Sequence, residues 1–262
     1  MPTRETAPTG APCWVDVMTS DVEGARAFYG QLFGWESEEP NEELAGYFNF
    51  TKDGVRVAGG FRTMPGAAMP DVWSVYLATD DARSTVEAVK ANGGQVMSDA
   101  MDVQDLGTMA VVTDPGGAAI GMWQPGRHQG FGLIRDAGMP AWFELLTRDY
   151  EGAVAFYEST FGWKTQTMSD TSDFRYTVAV DGEEQLAGVM DASSFLPEGI
   201  PNHWSVYFAV ADTDAAVARI TELGGSVIDT AEDTPYGRIA TAADPTGARF
   251  KLVGPNEAMP AT

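Results

Sequence analysis

The chain has 262 residues, 44% of them hydrophobic and 21% charged, which is enough apolar material for a real core and rules out a disordered or collagen-like chain. Sixteen Lys and Arg against 38 Asp and Glu give a formal net charge of -22, which repels phosphate backbones and anionic headgroups, so nucleic acid and acidic membrane surfaces are excluded as partners. The acids are scattered rather than blocked, as expected of charge that serves solubility.

The opening MPTRETAPTGAP lacks an apolar signal region, and no run approaches the roughly 18 apolar residues of a membrane span, so the expected location is cytoplasmic. Cys13 is the sole cysteine and allows neither an intrachain disulfide nor a thiolate cluster. Trp14 to Thr19 reads as a short apolar strand. Ser20 or Asp21 then caps a helix whose Val22, Ala25, Phe28, Tyr29 and Leu32 fall at helical spacing and which stops at Gly34. Tyr47 to Thr51 and Val55 to Phe61 flank Lys52-Asp53-Gly54 as a hairpin, in which Asn49-Phe50-Thr51 is a chance sequon. A second pass begins with a strand from Trp73 to Thr79. It continues with a helix capped by Asp80 or Asp81, with Ala82, Val86 and Val89 on one face, and a stop at Gly93-Gly94. Strands at Gln95 to Met97, Met109 to Thr113 and Ala118 to Gln124 complete it.

The same series then recurs. Asp21 to Trp35, DVEGARAFYGQLFGW, aligns with Asp149 to Trp163, DYEGAVAFYESTFGW, with ten of fifteen positions identical at an offset of 128. Trp73-Ser74-Val75-Tyr76 returns as Trp204-Ser205-Val206-Tyr207, Gly93-Gly94 as Gly224-Gly225, and Asp114-Pro115 as Asp244-Pro245. A period this long marks duplicated domains, because solenoid repeats run about 20 to 50 residues. The expected organisation is a module over 8–124, a Gly-rich linker over 125–136 and a second module over 137–256. Each module holds two β-α-β-β-β units, about sixteen strands and four main helices in all.

This combination resembles the vicinal oxygen chelate superfamily of glyoxalase I, bleomycin-resistance proteins, fosfomycin-resistance enzymes and extradiol dioxygenases. The motifs that carry the resemblance are the strand followed by D-x-E-G-A-x-A-F-Y-x-x-x-F-G-W, the helix closed by Gly-Gly, and the D-P-x-G turns at Asp114–Gly117 and Asp244–Gly247. It covers nearly the whole chain and is most similar to two-module actinobacterial members often labelled glyoxalase-like or hydroxylase. The fold implied is α+β, with paired units curling into open, cup-like mixed sheets. The resemblance further implies a divalent metal held by His, Gln and Glu at fixed strand positions. Here those positions carry Trp14, Ser74 and Gly121 in module one and Trp142, Ser205 and Lys251 in module two, none an ordinary ligand of a catalytic metal. The expectation is therefore no metal and no cofactor. The chain has two histidines, His128 in the linker and His203 before Trp204, with no nucleophile pattern beside either. No phosphate-binding loop or complete dinucleotide fingerprint is present; Gly130 and Gly132 lack the third glycine.

Strand alternation puts Trp14, Asp16 and Met18 on one face, and Trp142, Glu144 and Leu146 on its counterpart. Ser74, Tyr76, Trp123, Ser205, Tyr207 and Lys251 join them as ligand-binding candidates. The cups then read as aromatic-walled cavities for a flat, partly apolar ligand. Glu144 and Asp16 are the acid/base candidates, although Glu144 and Lys251 also fit a pair that simply neutralises itself. Trp73 and Trp204 fit core filler or a ligand box, while Trp35 and Trp163 fit helix-end packing. Two functions follow: metal-free capture of an aromatic or polycyclic metabolite, or a metal-independent isomerase, lyase or hydroxylase-type enzyme using Glu144 or Asp16. A bare scaffold for protein partners draws no support from the residues. Two modules in one chain make a monomer self-sufficient, and a homodimer is equally compatible.

Overall fold

The computed structural model describes residues 6–64, 66 and 70–256. Module one runs β1 (Pro12–Thr19), α1 (Val22–Phe33), β2 (Glu36–Ser37), β3 (Phe48–Lys52), β4 (Val55–Arg62), β5 (Val72–Ala78), α2 (Ala82–Ala91), β6 (Gln95–Val103), β7 (Gly107–Thr113) and β8 (Ala119–Pro125). Module two repeats the series as β9 (Pro140–Thr147), α3 (Tyr150–Phe161), β10 (Lys164–Asp170), β11 (Arg175–Asp181), β12 (Glu184–Asp191), β13 (His203–Ala209), α4 (Thr213–Glu222), β14 (Ser226–Thr234), β15 (Gly237–Ala243) and β16 (Arg249–Gly254). The fold is thus α+β, built from two open eight-stranded mixed sheets ordered β2-β3-β4-β1-β5-β8-β7-β6 and β10-β11-β12-β9-β13-β16-β15-β14. In each sheet the first strands of the two units lie antiparallel at the centre, and each is flanked by the parallel last strand of its own unit.

The repeated helix motif has a local reason. Asp21 Oδ1 accepts from the Gly24 amide at 3.0 Å, and Asp149 Oδ1 from Gly152 at 3.2 Å, each capping its helix. A Cβ on Gly24 or Gly152 would fall 2.3 or 2.2 Å from that capping carboxylate, so the glycine is what lets it fold back. Each helix ends at a glycine in the left-handed region, Gly34 at φ 69° and Gly162 at φ 70°. One boundary departs from expectation: β6 runs on from Met97 to Val103. It is a bulged edge strand whose S-D-A-M-D stretch is partly solvated and so lacks a hydrophobic signature.

The two sheets meet at their central strands β5 and β13, where Trp73 lies 5.1 Å from Phe208, and through the helices packed beside them. Tyr29 of α1 packs on Trp73 of its own sheet and on Phe250 of the other, while Phe33 reaches Phe208 with centroids 5.0 Å apart. A Trp–Tyr–Asp relay crosses this seam in two mirrored copies. The Trp73 indole donates to Tyr29 Oη at 2.8 Å, and Tyr29 donates to Asp244 Oδ2 of module two at 3.0 Å. The Trp204 indole donates to Tyr157 Oη at 2.8 Å, and Tyr157 donates to Asp114 Oδ2 of module one at 3.4 Å. Asp114 and Asp244 also receive the amides of Ala118 and Ala248, closing the D-P-x-G turns. Trp35 and Trp163 likewise donate across the modules, to the carbonyls of Gly138 and Gly10. Trp73 and Trp204 therefore belong to the inter-module core.

Removing the Tyr29 hydroxyl leaves a buried indole donor and a buried carboxylate oxygen without their shared partner. Tyr29→Phe should therefore lower the unfolding free energy by ~1–3 kcal/mol in urea titration. Tyr157→Phe should cost less, because its bond to Asp114 is longer; a reversed order would mean that the relay does not set the cost.

Candidate functional site: two outward-facing cups

Since the helix faces meet at the seam, the opposite face of each sheet forms a cup directed away from it. In cup one, β1 places Trp14 across from Tyr76 and Asp16 across from Ser74 on β5, and Asp16 across from Gly59 on β4. Tyr76 in turn lies across from Gly121 on β8, whose missing side chain makes room for the ring: a Cβ there would sit 2.2 Å from Tyr76 Cδ1. The Trp14 indole donates to Tyr47 Oη at 2.8 Å, and Tyr47 Oη lies 3.4 Å from Asp16 Oδ2. Tyr47 reaches this spot because Gly59 has no Cβ to block it.

Cup two repeats the frame with a different filling. The Trp142 indole donates to Tyr176 Oη at 2.8 Å, over Gly188. Ser205 lies across from Glu144, and Tyr207 across from both Trp142 and Lys251. Tyr207 donates to Glu144 Oε2 at 2.7 Å, and the Lys251 ammonium donates to the same oxygen at 3.0 Å and to Tyr207 Oη at 2.8 Å. Glu144 is thus neutralised inside the protein.

Asp16 has no such partner. It is 2% exposed, no cation lies against it, and its Oδ1 makes no hydrogen bond within the described residues. Burial raises its carboxyl to about 7, and the nearby hydroxyls of Tyr76, Tyr47 and Ser74 offset only part of that rise. Burial and the neighbouring Asp16 carboxylate push the Tyr47 and Tyr76 phenols well up, so both stay protonated.

The cups are more closed than aromatic-walled cavities. Trp14, Tyr76 and Trp123 are 4%, 7% and 8% exposed, because their rings fill one another's space and the connection between β8 and β9 folds over them. His128 of that connection meets Trp14 edge-on at 4.5 Å and accepts, through its carbonyl, the Trp123 indole at 2.8 Å; Phe131 packs on Trp14 at 5.6 Å. Burial drives the His128 imidazole down to about 4 and keeps it neutral. His203 shares the cup-two face with Ser205 and Tyr207, its Nδ1 2.9 Å from the Pro201 carbonyl.

Tyr47, Tyr176 and His128 escape a reading of the sequence by strand alternation alone, whereas the cup position of His203 follows from its spacing to Ser205 and Tyr207. The repeat carried a signal for two of them, since Tyr47 and Tyr176, like Gly59 and Gly188, stand 129 residues apart. Two further hollows, about 270 Å³ around Arg175 and about 350 Å³ around Leu32, Lys52 and Arg219, lie outside the cups. Arg175 is already engaged by Glu151, Asp170 and Asp191.

The donors do not fit a divalent metal. Cup one offers the single carboxylate of Asp16, Glu144 of cup two is held by an ammonium while Glu232 stands exposed on the edge strand β14, and no three His, Cys, Asp or Glu side chains converge among the described residues. No helix among those residues is long and apolar enough to cross a membrane.

A family model described as Glyoxalase/Bleomycin resistance protein/Dioxygenase superfamily matches residues 13–122 and 140–252. CFP32 of Mycobacterium tuberculosis, which carries a provisional glyoxylase name, is 41% identical over 260 residues, spanning 97% of this chain and 98% of that protein. The anthracycline biosynthesis protein DnrV of Streptomyces peucetius is 38% identical over 268 residues, 96% of each chain. Among solved structures, the Mn(II)-bound glyoxalase from Novosphingobium aromaticivorans superposes with a TM-score of 0.65 at 16% identity, covering 94% of this chain and 82% of that one. The 2,3-dioxygenase LapB from Pseudomonas sp. KL28 gives 0.65 at 14% identity over 98% of both chains. With both modules matched and close relatives along its whole length, the chain belongs to the glyoxalase/bleomycin resistance protein/dioxygenase superfamily.

Proposed function

We propose that the protein is a metal-free binder of a flat aromatic or polycyclic small molecule, which stacks on the tryptophans of the outward cups and is oriented by their few polar groups. The observation that carries this reading is the make-up of the family's concave face. Trp14, Tyr76 and Trp123 in cup one, and Trp142 and Tyr207 in cup two, provide ring surfaces, and Ser74, Ser205 and Lys251 provide hydrogen bonds. A whole-length relative named for anthracycline biosynthesis supports a polycyclic ligand. Entry to cup one displaces His128 from Trp14 and passes Met101, a half-exposed thioether in line with Met109 and Trp123.

Asp16 supports a second reading, a metal-independent isomerase, lyase or hydroxylase-type enzyme. A carboxyl poised at about 7 in a desolvated cup can both accept and return a proton near neutrality. Glu144, clamped by Lys251 and Tyr207, is the weaker acid/base group on this geometry.

Titration of intrinsic tryptophan fluorescence with a panel of polycyclic hydroxyquinones should give saturable quenching, and Trp14→Ala should weaken it roughly tenfold or more. A natively folded protein that none of them quenches would defeat the binding reading. The pH dependence of stability offers an independent check on Asp16. Its folded pKa lies above its unfolded value, so between about 4 and 7 the unfolded chain loses the proton first and stability falls as pH rises. The slope from this group should approach about 1.4 kcal/mol per pH unit and vanish above pH 7; Asp16→Asn should remove it. Equal pH profiles for the two proteins would show that Asp16 is ionised throughout.

A further inference from the structure

We propose that the two cups are unequal: cup one alone takes the ligand, an aromatic molecule that presents a hydroxyl to Asp16, while in cup two the Lys251 ammonium occupies the corresponding place. This rests on the reading that the cups hold an aromatic small molecule, and narrows it to one site and one ligand chemistry.

The two concave faces can be compared row by row, because residues paired across neighbouring strands point to the same side. One row reads Trp14, Tyr76, Gly121, Val111 in cup one and Trp142, Tyr207, Lys251, Thr241 in cup two. The next reads Trp123, Met109, Met101 against Val253, Ile239, Glu232. Cup one therefore offers an indole and two thioethers, surfaces that adapt to an aromatic ring, where cup two offers smaller aliphatics and an acid. The polar centres differ in the same sense. Glu144 receives Tyr207 and Lys251. Asp16, equally deep, keeps Oδ1 unpartnered within the described residues, and a buried carboxylate oxygen in that state gains most from an incoming donor. Gly121 stands at the register of Lys251, so the internal cation of cup two has no counterpart in cup one. Because the Trp14 indole donates to Tyr47 Oη, the Tyr47 proton is left to face Asp16 Oδ2, while Oδ1, enclosed near the Tyr76 and Ser74 hydroxyls, is the oxygen with a hydrogen bond still to accept.

Asp16 is also the group that titrates near neutrality there. Around it stand Trp14 on β1, Tyr47 ahead of β3, Ser74 and Tyr76 on β5, and the side-chain-free Gly59 on β4, with Gly121 of β8 beyond Tyr76. Both phenols stay protonated, and His128 against Trp14 is pushed down to about 4. Arg56 and Glu38 lie farther out, beside Tyr47 and His128, and the Cys13 thiol donates to the Tyr76 carbonyl at 3.4 Å.

The test is isothermal titration calorimetry of the full chain with 2-naphthol and with 2-methoxynaphthalene, which has the same ring system without the donor. At pH 8 the expected result is one equivalent per chain and a preference of roughly tenfold or more for the naphthol. Lowering the pH to 6 protonates Asp16, so naphthol affinity should fall roughly tenfold and methoxynaphthalene affinity should hold. Asp16→Asn should shrink the preference to about threefold or less; the pH comparison needs no variant and stands if that protein fails to fold. Two equivalents per chain, a preference that Asp16→Asn leaves intact, or naphthol affinity that rises as pH falls would each overturn the proposal. If neither compound binds, the aromatic-ligand reading itself falls, a result distinct from binding without selectivity.

Discussion

Everything in this molecule depends on the seam between the modules. An open eight-stranded sheet with helices on one face must bury that face, and the two sheets here bury theirs against one another, through Trp73, Phe28, Phe33, Phe208 and Phe250. The Trp–Tyr–Asp relays fix the register of this packing, since each tyrosine takes its donor from one module and its acceptor from the other. Aromatic burial supplies the driving force, and the mirrored hydrogen bonds select one arrangement among the many that would bury similar area.

With the helix faces committed inward, the concave faces are left pointing away from the seam. Both cups inherit the same Trp, Tyr and carboxylate frame, and they diverge at the positions flanking it. In cup two an ammonium and a phenol complete the polar network from within. In cup one glycine and aromatic rings leave the carboxylate desolvated and incompletely bonded, an expensive state for a buried acid unless a proton or a ligand completes it. The chain carries the superfamily's architecture while its concave donors are unsuited to a divalent metal, and on the binding reading proposed above recognition rests on ring surfaces and single hydrogen bonds.

Much of this was legible in the residues. The recurrence of D-x-E-G-A-x-A-F-Y and of W-S-V-Y exposes the duplication, and strand alternation brings Trp14, Asp16, Ser74 and Tyr76 onto one face, as pairing across β1 and β5 does. What stayed hidden required tertiary information. Tyr47 and Tyr176 matter because Gly59 and Gly188, on the next strand, leave space for their hydroxyls, a relation set by register. His128 sits in a Gly-rich stretch that reads as a spacer, yet Phe131, Leu133 and Ile134 bury it against the modules. The pairing of Glu144 with Lys251 was open to a reading of the residues, and the structure adds that the Tyr207 hydroxyl joins it, while Gly121 stands at the register of Lys251 in the other module.

The reciprocal seam also has a genetic corollary. A half-length chain of this design would expose the aromatic face that its twin now covers, and it could hide that face only against a second copy of itself. Such an isologous pair is bound by symmetry to carry two identical cups. Fusion of the copies into one polypeptide lifts that symmetry requirement: the seam keeps its two-fold logic, while one cup can retain a lone acid and the other acquire a lysine.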